Sequence, residues 1–125
     1  MLLCDTNIFI EIYRRNDVIR SILEDVGQKN IAVSDITCGE LFYGAINKAE
    51  LKMISNDLKK ITVLHINNEI SKIAVNLVEQ FCLSHKLDIV DALIAATAIY
   101  YDIELFTLNL KDFKFIQNLK LYKIK

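Results

Sequence analysis

Four carboxylates occupy positions in this chain where an acid is unexpected. Asp91 opens the run ALIAATAIYY, which is long enough for a helix and apolar on nearly every side. Such a helix is expected to be buried, so a carboxylate in its first turn faces the interior or a cleft and needs a cation, a metal or a hydrogen-bond donor. Asp5 after an apolar start, Glu40 in GELFYGA and Asp112 in TLNLKDF occupy comparable places. The pattern predicts a metal site built from four separate segments.

The chemistry of such a site follows from its donor atoms. Four carboxylates in one crevice repel one another unless a cation neutralises them. Oxygen ligands without His or Cys favour Mg²⁺ or Mn²⁺ over zinc. One such ion lowers the pKa of water and polarises a phosphate, and two ions would clamp the attacking and leaving oxygens. The number of ions stays open, and the chemistry indicated is metal-assisted hydrolysis of a nucleic-acid backbone.

Each acid also has an ordinary interpretation when taken alone. Asp5 could cap a helix, Glu40 could be solvated on a helix surface, and Asp91 could serve only the helix start. Asp112 with Asn109 could be a turn-forming pair. Near Glu40, Gly39 and Gly44 each cost a helix about 0.8–1 kcal/mol relative to alanine. We therefore expect close backbone approach or room for a ligand there.

Short apolar strands alternating with helices predict an α/β fold with a central parallel sheet covered on both faces. Strands are expected at 2–5, 31–33, 62–66, 104–107 and 119–124. Helices are expected at 7–15 with Thr6 as cap, at 18–26, from a Ser34 or Asp35 cap through Ala45, at 50–60, at 68–84 and at 88–101, with a turn or short helix at 110–115. In such folds ligands bind at the carboxyl ends of the strands, where one crevice could collect all four acids.

Composition narrows the class of protein. A chain of 125 residues with 53% hydrophobic and 25% charged residues is expected to form one globular domain over 1–125. The net charge of −1 means that a nucleic-acid partner would have to be met by a local basic patch. No membrane span or signal peptide is expected. Cys4, Cys38 and Cys82 lie among apolar neighbours and are expected to be buried, reduced thiols of a cytoplasmic protein.

Several segments match a known family in order and over nearly the whole chain. They are LLCDTNIFIE, VSDITCGELFYGA, LDIVDALIAATAIYYDIELFTLNLKDF and NLKLYKI. On these segments the chain resembles the PIN-domain ribonucleases, specifically the VapC-like toxins of toxin–antitoxin modules. The resemblance implies a single PIN-like α/β domain that cuts RNA with Mg²⁺ or Mn²⁺, forms a homodimer, and is covered by a cognate antitoxin that also represses the operon.

The resemblance also assigns residues. It places the family's first three acids on Asp5, Glu40 and Asp91, and its fourth in the segment that holds both Asn109 and Asp112. We take Asp112 first, as the acid, and Asn109 second, as a polar ligand or water holder. Thr6 and Thr107 fall on the family's hydroxyl positions. Leu108 departs from the pattern, since many relatives carry a basic residue there. Phosphate contacts must therefore come from elsewhere, with candidates at Arg14, Arg15, Lys48, Lys86, Lys111 and Lys114.

Two rival functions belong to other classes. A phosphotransferase using Asp5 as nucleophile is disfavoured, because haloacid-dehalogenase-like enzymes want a second Asp where this chain has Asn7. A non-catalytic PIN-like module that binds RNA or protein is the remaining alternative. The presence of all four acids disfavours it.

Overall fold

The strand order of the sheet determines where a ligand can reach this fold. The computed structural model describes residues 1–124. Its four strands are all parallel, in the spatial order β3-β2-β1-β4. They are β1 (Leu2–Cys4), β2 (Ile31–Ser34), β3 (Thr62–Leu64) and β4 (Glu104–Phe106). The chain leaves β1 in one direction to build β2 and β3 and then returns to its other side with β4. The direction of winding therefore changes between β1 and β4, which is where open α/β sheets form a crevice.

Six α-helices, within residues 1–124, connect and cover the strands. They are α1 (Thr6–Tyr13), α2 (Asp17–Val26), α3 (Asp35–Tyr43), α4 (Lys48–Leu58), α5 (Asn68–His85) and α6 (Ile89–Tyr101). Short 3-10 turns lie between α2 and β2, at Gln28–Asn30, and after β4, at Leu110–Asp112. The predicted single α/β domain with a parallel sheet flanked by helices is confirmed. None of the helices in the described part of the chain is long and apolar enough to cross a bilayer.

The sheet separates two apolar cores, because successive side chains of a strand point to opposite faces. Leu3, Ala32 and Leu105 face the core that α5 and α6 complete. The second core includes Cys4 and Val33 from the other face of the sheet and is completed by α1, α2 and α4. Helix α6 is buried as predicted, with every residue from Ile94 to Ala98 inside the protein. A helix enclosed in this way holds the start of its first turn, and so Asp91, in a fixed position.

Three expectations about local structure are wrong. The strand expected over 119–124 is reduced to a single bridge between Leu105 and Leu121. In a parallel strand, the backbone N–H and C=O groups of every second residue point toward the same neighbouring strand. A strand as short as β4 therefore offers only the N–H and C=O of Leu105 on its outer edge, to Lys120 and Tyr122. The N-cap of α1 is Asp5 and not Thr6, which begins the helix.

The third error concerns the cysteines. Cys4 is buried, and burial together with the adjacent charge of Asp5 raises the pKa of its thiol to about 12. Cys38 is half-buried, whereas Cys82 is exposed because it lies on the solvent side of α5. Of the two apolar residues beside Cys82, Phe81 packs against the core, whereas Leu83 is 95% exposed on the same side as Cys82.

Candidate active site

Asp5 is the most deeply placed of the predicted acids. It follows β1 at the crevice between β1 and β4 and is only 6% exposed. One carboxylate oxygen accepts from the Thr6 backbone N–H at 2.8 Å, and the other accepts from Thr107 Oγ1 at 2.8 Å. Burial raises the pKa of Asp5, with further contributions from the charges of Glu40 and Asp112, against the lowering effect of these hydrogen bonds. Asp5 is thus oriented by two donors in a site that makes its negative charge costly.

Polar side chains lock the segment after β1 to the segment after β4. Asn7 Nδ2 lies 3.3 Å from Thr107 Oγ1, and Asn7 Oδ1 accepts from the Leu108 N–H at 3.3 Å. Thr107 Oγ1 also accepts from the Asn109 N–H at 3.1 Å. The role of Asn7 was missed at the level of sequence. Its signal was an amide two residues after a buried acid, at a strand-to-helix junction.

Glu40 reaches the same edge from α3. Its side chain is exposed, and its Oε1 accepts from Thr6 Oγ1 at 2.6 Å. Thr37, fully buried on α3, lies 3.0 Å from the same hydroxyl. Because Asp5 caps α1, Thr6 is left free to use its backbone for Asp5 and its hydroxyl for Glu40. A single residue therefore positions two of the predicted acids.

Asp91 is the third residue of α6 and is partly buried. Its N–H donates to Asp88 Oδ1 at 2.9 Å, so Asp88 is the cap of the helix. Burial, followed by the charges of Asp88, Asp5, Asp112 and Glu40, raises the pKa of Asp91 to about 6. The structure thus brings Asp5 and Asp91 within electrostatic range of each other and of both Glu40 and Asp112.

The last segment contains both candidates for the fourth ligand. Asp112 ends the 3-10 turn, is partly buried, and raises the pKa of both Asp5 and Asp91 by its charge. Asn109 is exposed and contributes its backbone N–H to the Thr107 hydroxyl. Of the two, only Asp112 adds negative charge to the cluster, and the choice between them as fourth ligand stays a prediction.

The acids are neighbours without being closed around one point. Within residues 1–124, no three Asp, Glu, His or Cys side chains lie close enough together to form a ready-made metal site. The donor chemistry nevertheless fits a hard divalent cation, since the candidates offer oxygen atoms only. Asp5 Oδ1 accepts one hydrogen bond, from the Thr6 N–H, and keeps a second lone pair, whereas Oδ2 accepts from Thr107 Oγ1 and, at 3.5 Å, from Asn7 Nδ2. Sharing one ion would require the side chains to approach one another.

Space next to Glu40 is open on the side of α1 and α4. A cavity of about 260 Å³ is lined by Thr6, Glu40, Arg14 and Gly44 among others. Gly44 is the C-cap of α3, so the free-energy cost of a glycine inside a helix does not apply to it. A Cβ added at Gly39 would meet nothing within 4 Å, so the expected close backbone approach is absent there. The alternative expectation, room for a ligand beside Glu40, agrees with this cavity.

The whole chain was compared with families and with individual proteins of known function. The model of the PIN domain family matches residues 2–117. Ribonuclease VapC19 of Mycobacterium tuberculosis is 29% identical over 123 residues, which cover 96% of this chain and 98% of the relative.

Solved structures extend the similarity to the fold. A chain of a toxin–antitoxin complex from Klebsiella pneumoniae is 30% identical, with a TM-score of 0.82 over 99% of this chain and 100% of that one. A chain of VapBC2 from Rickettsia felis, bound to a DNA fragment from their promoter, is 27% identical. Its TM-score is 0.83 over 99% of this chain and 98% of that one.

Proposed function

This chain belongs to the PIN-domain family, and on that basis we propose that it is an endoribonuclease that acts as the toxin of a toxin–antitoxin pair. It would hydrolyse phosphodiester bonds of RNA. The observation that carries this proposal is the buried Asp5, oriented by Thr6 and Thr107 at the crevice between β1 and β4, with Glu40, Asp91 and Asp112 in electrostatic range.

We propose that Asp5, Glu40, Asp91 and Asp112 hold Mg²⁺ or Mn²⁺, with Asn109 as an alternative or additional oxygen ligand. When bound, the cation would neutralise the carboxylates, polarise the phosphate and lower the pKa of water. The raised pKa values of Asp5 and Asp91 support this proposal, because burial and neighbouring carboxylates make both negative charges costly, and a cation would relieve that cost.

The residues of the chain divide the remaining work. Thr107 and the Thr6 N–H fix the Asp5 carboxylate, and the Thr6 hydroxyl fixes Glu40. A carboxylate of the site accepts the proton of the attacking water. We assign this step to Asp91, because burial and the neighbouring carboxylates raise its pKa to about 6, which suits a general base near neutral pH.

Partners follow from the same proposal. The solved relatives from Klebsiella and Rickettsia are toxin–antitoxin complexes, and we propose a cognate antitoxin for this chain as well. We further propose that it is a homodimer and that it acts in the cytoplasm, where an RNA substrate and a repressing antitoxin would both be found. Sedimentation velocity of the purified chain tests the dimer.

The test of function is cleavage of a total tRNA and rRNA pool with and without Mn²⁺. The wild-type chain is compared with Asp91→Asn and with Asp17→Asn, an exposed acid in the first turn of α2 that serves as matched control. We expect discrete Mn²⁺-dependent fragments from wild type and the control, and none from Asp91→Asn. Identical patterns from all three would point to contamination and would move the assignment to the non-catalytic binding module.

A further inference from the structure

Three aromatic rings meet where α5 ends. His85, the last residue of α5, is exposed and its ring is stacked on Phe115, with 4.0 Å between centroids and 17° between planes. Phe81, one turn earlier, is edge-on to His85 at 5.8 Å and lies 4.9 Å from Phe115. Ser84 Oγ is 2.8 Å from His85 Nδ1, which fixes the orientation of the imidazole.

One face of this exposed imidazole is covered by neither Phe81 nor Phe115. If Phe81 and Phe115 lay on opposite faces, the distance between them would be the longest of the three. It is shorter than the distance from Phe81 to His85, so both phenylalanines lie on the same side. Phe81 and Phe115 pack against the core, which accounts for their presence. The exposed ring of His85 adds a flat aromatic surface that the core does not require.

This surface lies beside the candidate active site. His85 is three residues before Asp88, which caps the turn that carries Asp91, and Phe115 is three residues after Asp112. Three residues of chain span at most about 10 Å. Phe115 therefore lies within about 10 Å of chain from Asp112, and His85 lies within the same length of the Asp88 cap that precedes Asp91.

Two lysines adjoin the stacked rings in sequence. Lys86 and Lys114 are chain neighbours of the stacked rings, and both are exposed. In the part of the chain that the structure describes, neither has a carboxylate within 4.0 Å. A flat aromatic face flanked by available cations matches a base and its adjoining phosphates in single-stranded RNA.

We propose that the open face of His85, backed by Phe115, stacks one base of the RNA next to the cleaved phosphate, while Lys86 and Lys114 contact flanking phosphates. This inference rests on the proposed ribonuclease function and deepens it. It assigns a surface that would position the substrate in place of the basic contact that Leu108 does not supply.

The test compares His85→Ala with His85→Phe, which keeps a flat ring, and with Leu83→Ala, an exposed residue at the same end of α5. Binding of fluorescein-labelled oligoadenylate is measured by anisotropy with Mg²⁺ in the cleavage-deficient Asp91→Asn background. Stacking of one base is worth about 1–3 kcal/mol, so His85→Ala should weaken binding by about tenfold. His85→Phe and Leu83→Ala should bind within about twofold of the parent, with melting temperatures unchanged.

Cleavage supplies the second readout. In the otherwise wild-type chain, His85→Ala should raise KM more than it lowers kcat, and the double change Lys86→Ala with Lys114→Ala should weaken the salt dependence of binding. Unchanged binding and KM in His85→Ala would overturn the inference while leaving the ribonuclease intact. So would His85→Phe behaving like His85→Ala. A wild-type chain that cleaves no RNA with Mn²⁺ would instead remove the proposed function, and the inference with it.

Discussion

The Asp91→Asn substitution should abolish cleavage and, at the same time, make the metal-free protein more stable at neutral pH. Asp91 is partly buried among Asp88, Asp5, Asp112 and Glu40, and these surroundings raise its pKa to about 6. Its pKa in the unfolded chain is about 3.9. The folded state therefore binds the Asp91 proton more tightly than the unfolded state does. The free energy of unfolding falls as the pH rises between these two values.

The magnitude can be worked from the same shift. A difference of about two pKa units corresponds to roughly 3 kcal/mol if it is fully expressed. Because Asp91 is only partly buried, solvent screening reduces this to about 1.5 kcal/mol. A carboxylate in the first turn of α6 also gains roughly 0.5 kcal/mol from the helix dipole, which asparagine gives up. A net gain of about 1 kcal/mol remains for Asp91→Asn above pH 7, or about 4 °C in melting temperature.

The assay is thermal and urea unfolding of both proteins in EDTA from pH 4 to pH 8, with Asp17→Asn as control. The stability difference between Asp91→Asn and wild type should be near zero at pH 4, where Asp91 is protonated, and should grow through pH 6 to its full value. A lower melting temperature for Asp91→Asn at pH 7.5, or a difference that does not vary with pH, would refute the placement of Asp91 in a cluster of like charges. The control should stay within about 0.5 kcal/mol of wild type at every pH.

Further outcomes follow from the site. Millimolar Mg²⁺ or Mn²⁺ should raise the melting temperature of wild type, because an ion at about 100 times its Kd stabilises the folded state by about 2.7 kcal/mol. Differential scanning fluorimetry measures this shift, and Asp91→Asn should lose most of it. Thr107→Val removes the donor to buried Asp5 and should cost about 1–3 kcal/mol in urea unfolding, with reduced cleavage. Gly39→Ala should stabilise the protein by about 0.8–1 kcal/mol in the same experiment, since the added methyl group meets nothing; a loss of stability would contradict the open space seen there.

The sequence was sufficient for the parts of the structure that depend on hydrophobic patterning. The apolar run after Asp91 gave a buried helix, and short apolar strands separated by helices gave a parallel sheet with two covered faces. The capping interaction between Asp88 and Asp91 was also predictable, because it depends on a local spacing of three residues.

The N-cap of α1 was misplaced by one residue, but the other two errors arose where neighbours distant in sequence decide the outcome. The segment over 119–124 is apolar enough for a strand, but its partner β4 is too short to pair with more than one residue of it. Cys82 has apolar neighbours in the sequence, yet the direction in which α5 faces the core leaves it exposed. Neither effect is encoded in the segment itself.

The same limit applies to the site. The four acids could be chosen by residue type and position, but the pairing of Thr107 with Asp5 and of Thr6 with Glu40 joins residues 102 and 34 positions apart. No local pattern contains those distances. Likewise, the stack of His85 on Phe115 depends on two segments that only the packing of α5 against the last turn brings together.

The arrangement of the acids explains why a stabilising substitution should be an inactivating one. A fold selected for stability alone would not retain a buried aspartate, a second acid with a pKa near 6 and two more acids in electrostatic range. The hydrogen bonds from Thr6 and Thr107 offset only part of that cost, and they orient Asp5 more than they neutralise it. The unfavourable charge remains available to a cation, so the free energy that the metal-free fold gives up should return as affinity when the ion binds. If Asp91→Asn both stabilises the metal-free chain and removes the metal-dependent rise in melting temperature, the two effects have this single electrostatic cause.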